Sequence, residues 1–320
     1  MAATPSLVFI CGYIKYRVLL IWKQRSQSAA MKCFTAKDSL KAIFILLPGN
    51  PGKAELYFDF LDQLYHNYDK AVDIYAFNYL GHHIPSSTTY VLQDQIEYCR
   101  QEILKIKRDY PKNEIYLFGH SLGAFIALKL ESLANKVILL FPAIDDLKST
   151  QNAKEMWLLF TRLGIFMVAC FTYIISFLPM AFKYQLVHWV EPKTTHDQNV
   201  VLARNWDYRI IYNTIGLTRD EFKVISPLDI SIFKRSISNN KCLINKCWFF
   251  FSPFDGWCDI TTFRKMAENW PELVVTRENI HQFENGGIYL TDAEVPHAFI
   301  LGYGHKVASL IHDIVPCEIE

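Results

Sequence analysis

The residues Gly119-His120-Ser121-Leu122-Gly123 have the types and spacing of an activated nucleophile. A serine hydroxyl reacts only if it is lifted clear of its surroundings, and the flanking sequence supplies the means. Ile115 to Phe118 is an apolar, β-prone run. From Phe125 the apolar residues take helical spacing, with Ile126, Leu130 and Leu133 on one side. Ser121 therefore falls at a strand-to-helix turn, the context this motif requires. Gly119 and Gly123 suit that turn because a Cβ there would strike the neighbouring backbone. The helix that follows aims its free N–H groups and dipole at the site, which favours a developing oxyanion.

An activated serine needs a base, and the base needs an orienting carboxylate. In the α/β-hydrolase arrangement acid and histidine follow the serine in that order, on loops after late strands. Position sorts the ten histidines. His66, His82, His83 and His120 precede the serine, His188 and His196 lie in a central region without alternation, and His281 precedes the last strand. His305 and His312 fall inside the closing helix. His297, in Val295-Pro-His-Ala-Phe299, lies after the last strand and before that helix, where the base belongs. For the acid, Asp255 in Ser252-Pro-Phe-Asp-Gly-Trp257 follows the penultimate strand, in a tight turn bounded by Pro253 and Gly256. Asp259 is the second candidate, and Asp145 or Asp146 after an earlier strand are further ones. The expected oxyanion donors are the backbone N–H of Leu122 and that of Asn50, in the rigid Pro48-Gly-Asn-Pro-Gly52 loop. Proline cannot donate, so Asn50 and Gly49 are the usable donors there.

These residues need a scaffold that gathers loops at one edge of a sheet. Ala42 to Leu47, Val72 to Phe77, Lys136 to Phe141 and Lys246 to Phe251 are apolar runs typical of strands buried on both faces. Helical patterns over Glu55–Leu64, Leu92–Lys107, Phe263–Asn269 and Ala298–Val315 alternate with them, and Gly287 to Thr291 is the last strand. Strands alternating with helices predict an α/β fold with a mostly parallel sheet and helices on both faces. A leading hairpin over Leu7–Trp22 is expected, then a polar connection over Gln24–Leu40. The alternation fails between about Lys148 and Asn240. The expected division is therefore 1–147 and 241–320 as two parts of one core, with 148–240 a helical, apolar cap insertion.

Net charge is +1, and no basic stripe suggests a nucleic-acid partner. The eight cysteines form no C-x-x-C pair, and Cys242 and Cys247 lack histidines at zinc spacing. No metal and no organic cofactor is expected. The scattered cysteines and the absence of an N-x-S/T acceptor favour a reducing compartment. Lys15 and Arg17 interrupt the first apolar run, so no signal peptide is expected.

The Pro-Gly-Asn-Pro-Gly loop, the Gly81-His82 turn, Gly119-His-Ser-Leu-Gly123, Phe254-Asp-Gly-Trp-Cys258 and Val295-Pro-His-Ala-Phe299 together resemble the lipid-droplet-associated hydrolases. The resemblance runs from about Leu7 to the C-terminus. It implies an α/β-hydrolase fold with Ser121, Asp255 and His297 as triad. It also implies residence on the cytosolic face of lipid droplets and the endoplasmic reticulum, and neutral lipid esters, sterol esters included, as substrates. A lipid-surface scaffold with the same fold and little turnover is the alternative from another class.

Leu163 to Phe182 carries no charge between Arg162 and Lys183 and is long enough to reach across a bilayer core. One crossing, however, would part Ser121 from Asp255 and His297. The stretch must return to the side it left, or never enter. A buried cap helix and a segment lying in a lipid monolayer are the remaining readings. The aromatic content, with 23 Phe and 17 Tyr, favours the monolayer, and Gly164 and Pro179 offer places to bend.

Overall fold

A computed structural model describes residues 30–37, 40–238, 241–276, 278–279, 286–292 and 294–315. The expected leading hairpin over Leu7–Trp22 lies outside the described residues. An eight-stranded sheet forms the centre. Its strands are β1 (Ala30–Phe34), β2 (Ala42–Leu47), β3 (Val72–Phe77), β4 (Glu114–His120), β5 (Lys136–Leu140), β8 (Cys247–Phe251), β9 (Val274–Val275) and β10 (Gly287–Leu290). The short strands β6 (Ser236–Ser238) and β7 (Lys241–Cys242) pair only with each other. The spatial order is β1-β3-β2-β4-β5-β8-β10-β9, and every pairing is parallel except that of β1 with β3.

Why the strand sequences are apolar throughout follows from the two cores. Ile43, Ile45 and Leu47 of β2 enter one core, while Ala42, Phe44 and Leu46 enter the other. Phe249 and Phe251 of β8 point one way, and Trp248 and Phe250 the other. Alternate side chains leave opposite faces of a strand, so a sheet covered twice needs apolar residues at every position. Helices α2 (Leu92–Asp109), α3 (Leu122–Lys129) and α9 (Ile260–Asn269) lie on the first face. Helices α1 (Phe58–Asn67) and α10 (Gly304–Ile314) pack together on the second.

Most element ends shift by one to three residues from the sequence reading, and two differences are larger. The stretch expected as a polar connection contains β1, whose alternation is short. Met31 is buried while Lys32 points outward to pair with Asp73 at 2.6 Å. The closing helix begins at Gly304, after turns over 297–302 that hold His297 off the helix.

Between β5 and β8 the described chain has no strand of the main sheet. It forms α4 (Gln151–Glu155), α5 (Arg162–Ser176), α6 (Met180–Val190), α7 (His196–Arg204) and α8 (Tyr208–Val224). The uncharged stretch breaks before Pro179, and Lys183 Nζ donates back to the Ser176 carbonyl at 2.8 Å, satisfying an end of α5. No helix among the described residues is long and apolar enough to cross a membrane. Ile165, Thr172 and Ile175 form the inward side of α5. Leu163, Phe166, Met167, Phe171, Ile174 and Phe177 are exposed, so the opposite apolar side of the stretch faces outward.

Candidate active site

The sheet has a switch point between β2 and β4. From β2 the chain goes to β3 on one side, then returns to β4 on the other. Loops leaving the carboxyl ends of neighbouring strands diverge there and open a crevice. The loop after β2 is Pro48–Gly52, and the turn after β4 carries Ser121.

Ser121 has φ 53 and ψ −118, a backbone conformation that few side-chain-bearing residues adopt. Packing enforces it. A Cβ at Gly119 would lie 2.4 Å from the Gly123 carbonyl oxygen, and one at Gly123 would lie 2.1 Å from the Leu47 carbonyl oxygen. Strand and helix are thus pressed together on both sides of the serine. The Ser121 N–H donates to the Leu140 carbonyl at 3.0 Å, which ties the turn to β5.

His297 stands beside it. Its Nε2 is 2.9 Å from Ser121 Oγ, and its Nδ1 is 2.6 Å from Asp255 Oδ2. Asp255 is buried, and its other oxygen, Oδ1, accepts from the N–H groups of Trp257 at 2.8 Å and Cys258 at 2.9 Å. An ionised carboxylate only accepts, so Nδ1 carries the imidazole proton and Nε2 is left to accept from the serine hydroxyl. The three residues expected from sequence are brought into one hydrogen-bonded line.

The other acids are engaged elsewhere. Asp259 caps α9, its side chain accepting from the Thr261 N–H at 2.8 Å. Asp145 pairs with Lys265 at 2.6 Å and accepts from the Leu228 N–H at 2.8 Å. Asp146 begins the one-turn helix over Leu147–Ser149.

The Pro48–Gly52 loop lies against the serine. A Cβ at Gly49 would be 3.2 Å from Ser121 Cβ and 3.1 Å from His120 Nδ1. The Gly49 N–H is committed to Tyr57 Oη at 2.8 Å. That removes one of the two expected donors in the loop and leaves the Asn50 N–H. Leu122, the other expected donor, is the first residue of α3, where backbone N–H groups have no intrahelical acceptor.

The Asn50 side chain ties this loop to α8. Its Nδ2 reaches the Thr214 carbonyl at 2.9 Å, Thr218 Oγ1 at 2.8 Å and Glu221 Oε1 at 2.9 Å. Lys53, three residues on, donates to Asn205 in the turn before α8. Burial pushes Glu221 up to about 8; the Asn50 hydrogen bond opposes this and nearby Asp220 adds to it. The folded state thus holds a proton that the unfolded chain releases near 4.5, the ordinary value for this group. The stability this proton confers is complete below 4.5, falls through the interval up to about 8, and is level above it. Glu221→Gln keeps the acceptor and cannot ionise. Its melting temperature relative to wild type is expected to climb steadily from pH 5 to pH 8, as wild type loses about 1.4 kcal/mol per unit. A constant difference across that range would show that Glu221 is ionised in the fold.

The model of the family described as lipid-droplet associated hydrolase matches residues 40–300. The chain belongs to that family. A Gallus gallus relative named lipid droplet-associated hydrolase is 23% identical over 317 residues, covering 91% of this chain and 88% of its own. A Dictyostelium discoideum relative of the same name is 22% identical, covering 86% of this chain and 88% of its own. Among solved structures, a lipase-esterase related protein from Clostridium acetobutylicum superposes with a TM-score of 0.55 at 12% identity, over 90% of this chain and 100% of the other. A deformylase from Pseudomonas putida gives 0.56 at 12% identity, over 88% and 94%. At such identity the structural likeness shows the fold, which is that of the α/β hydrolases. By family and fold the chain is a hydrolase.

Tyr57, the Asn50 side chain and Glu221 are functional neighbours that the sequence does not single out, and His120 precedes the serine, where no base is expected. Only His120 carried a signal, since it lies inside the nucleophile motif. The others meet the site through contacts 8 to 171 residues apart in sequence, which no local pattern encodes.

Proposed function

We propose that the protein is a serine ester hydrolase acting on neutral lipid esters, of the sterol ester or acylglycerol class, at the surface of lipid droplets. The observation that carries this reading is the unbroken line Ser121 Oγ, His297, Asp255, with bonds of 2.9 and 2.6 Å. Ser121 attacks the ester carbonyl as His297 Nε2 takes its proton. The N–H groups of Leu122 and Asn50 hold the oxyanion. His297 then protonates the departing alcohol, leaving an acyl-enzyme. Water, deprotonated by His297, attacks the acyl carbon; the bond to Ser121 Oγ breaks, His297 returns the proton to that oxygen, and the fatty acid leaves. Asp255 fixes the imidazole tautomer and stabilises its charged form.

The exposed apolar side of α5 and the start of α6 support a lipid surface as the working place. Residues 148–240 form the lipid-associating insertion, and 1–147 with 241–320 form the hydrolase core. The stretch lies in the monolayer without crossing, from the cytosolic face of the droplet or endoplasmic reticulum. Arg162 and Lys183 sit among the headgroups with their stems along the acyl boundary. The names of the relatives favour the lipid droplet as that surface.

A fluorophosphonate probe is expected to label wild type at Ser121, with no labelling of Ser121→Ala. Emulsified sterol, triacylglycerol and retinyl esters then rank the substrate. Absence of labelling in folded, lipid-bound protein would overturn the proposal.

A further inference from the structure

A second hydrogen-bonded line crosses behind Ser121. The Gly49 N–H meets Tyr57 Oη at 2.8 Å, Tyr57 Oη meets His120 Nδ1 at 2.6 Å, and His120 Nε2 meets the His297 carbonyl oxygen at 2.9 Å. Both ends are backbone, so for a neutral imidazole every role between them is fixed. A backbone N–H can only donate, and a carbonyl can only accept. His120 Nε2 must therefore carry the proton and donate to His297. His120 Nδ1 is then bare and accepts the Tyr57 hydroxyl proton, while Tyr57 Oη accepts from Gly49.

The line is enclosed. His120 and Tyr57 are buried, and the His120 ring meets the edges of Phe299 and Phe141 at 5.0 and 6.2 Å between centroids. Burial and the neighbouring His297 push His120 well down, and burial pushes the Tyr57 phenol up, so both stay neutral. The line joins three separate pieces of chain: the oxyanion loop, the end of β4 and the loop bearing the base.

We infer that His120 and Tyr57 are positioning residues, which hold the backbone of His297 and turn the Gly49 N–H away from the oxyanion so that Asn50 serves instead. This rests on the proposal that Ser121 and His297 react. The two ring nitrogens of His120 are engaged with Tyr57 and the His297 carbonyl, and not with the serine hydroxyl or the acid. It acts by fixing where the His297 main chain sits, and hence how far Nε2 lies from Oγ. A displacement of about 1 Å in a reacting group costs on the order of 100-fold in rate.

The two ends of the imidazole can be tested apart. A glutamine amide nitrogen reaches the position of Nε2 and keeps the bond to His297. An asparagine oxygen reaches the position of Nδ1 and keeps only the bond from Tyr57. His120→Asn is expected to lose on the order of 100-fold in kcat with little change in KM. His120→Gln should recover most of that loss. Nitrogen-15 shifts of the wild-type histidines, recorded at neutral pH, should give His120 as the neutral Nε2–H form accepting at Nδ1. That measurement needs neither turnover nor a substituted chain. Equal rates for the Asn and Gln variants, a loss confined to KM, or an Nδ1–H or charged His120 would each overturn the inference. Ser121→Ala run in parallel keeps the two proposals apart. If it hydrolyses at the wild-type rate, the serine mechanism fails, and the nitrogen shifts alone still judge the hydrogen-bonded line.

Discussion

His297→Ala is expected to lower kcat for ester hydrolysis by about four to six orders of magnitude, because groups that act as one unit lose nearly all their effect together. Without the imidazole nothing accepts the Ser121 proton, since Asp255 is directed at His297 Nδ1 and does not face the serine. Asp255→Asn is the sharper form of the test. Oδ1 of Asp255 already accepts two backbone N–H groups, from Trp257 and Cys258. An asparagine oxygen must stay in that place, which turns its NH2 toward His297 Nδ1. The imidazole then accepts at Nδ1 and carries its proton on Nε2, facing Ser121 with a donor where a base is needed. A fall of about 10⁴-fold is expected from that reversed tautomer. The same variant should bind a non-hydrolysable ester analogue nearly as wild type does. Activity within tenfold of wild type for either variant would remove His297 and Asp255 from the chemistry.

The second large effect concerns the lipid surface. Phe166, Phe171 and Phe177 are 62%, 60% and 71% exposed. Replacing all three with serine therefore leaves the inward side of α5 untouched, and the melting temperature should move little. Burial of each ring in lipid is worth about 1.5–3 kcal/mol. Losing three at the lower figure costs about 4.5 kcal/mol, or roughly a thousandfold in partition at 1.4 kcal/mol per tenfold. The triple variant is expected to stay in the soluble fraction when wild type floats with triacylglycerol droplets coated in phospholipid. Hydrolysis of a short, water-soluble ester should be unaffected by the change. A triple variant that still floats, or a wild type that remains a detergent-free soluble monomer beside droplets, would refute the monolayer reading.

The fold was legible because its signals are local. A strand buried on both faces must be apolar at each position, as Ala42 to Leu47 and Cys247 to Phe251 are, and the α/β pattern follows from their alternation with helices. Ser121 was legible because its strained turn demands glycines at fixed offsets. Asp255 and His297 could be picked from chain order and loop placement. What escaped was either short or remote. β1 is five residues of mixed polarity, and β9 is two. Tyr57 looks like any helix-forming aromatic until the fold brings Gly49 to its hydroxyl. Glu221 sits in an amphipathic helix whose pattern gives no hint that this carboxyl is buried against Asn50.

Ser121 and His297 touch across 176 residues of chain, and the exposed apolar helix falls between them. During synthesis the ribosome delivers Ser121 first, the exposed apolar segment next, and Asp255 and His297 last. A nascent chain stalled anywhere before residue 297 therefore holds a serine with no partner. If the proposed function holds, the protein can be drawn to a lipid surface while still unable to cut the lipids it meets, and its competence arrives only when β8 closes against β5 and β10 against β8.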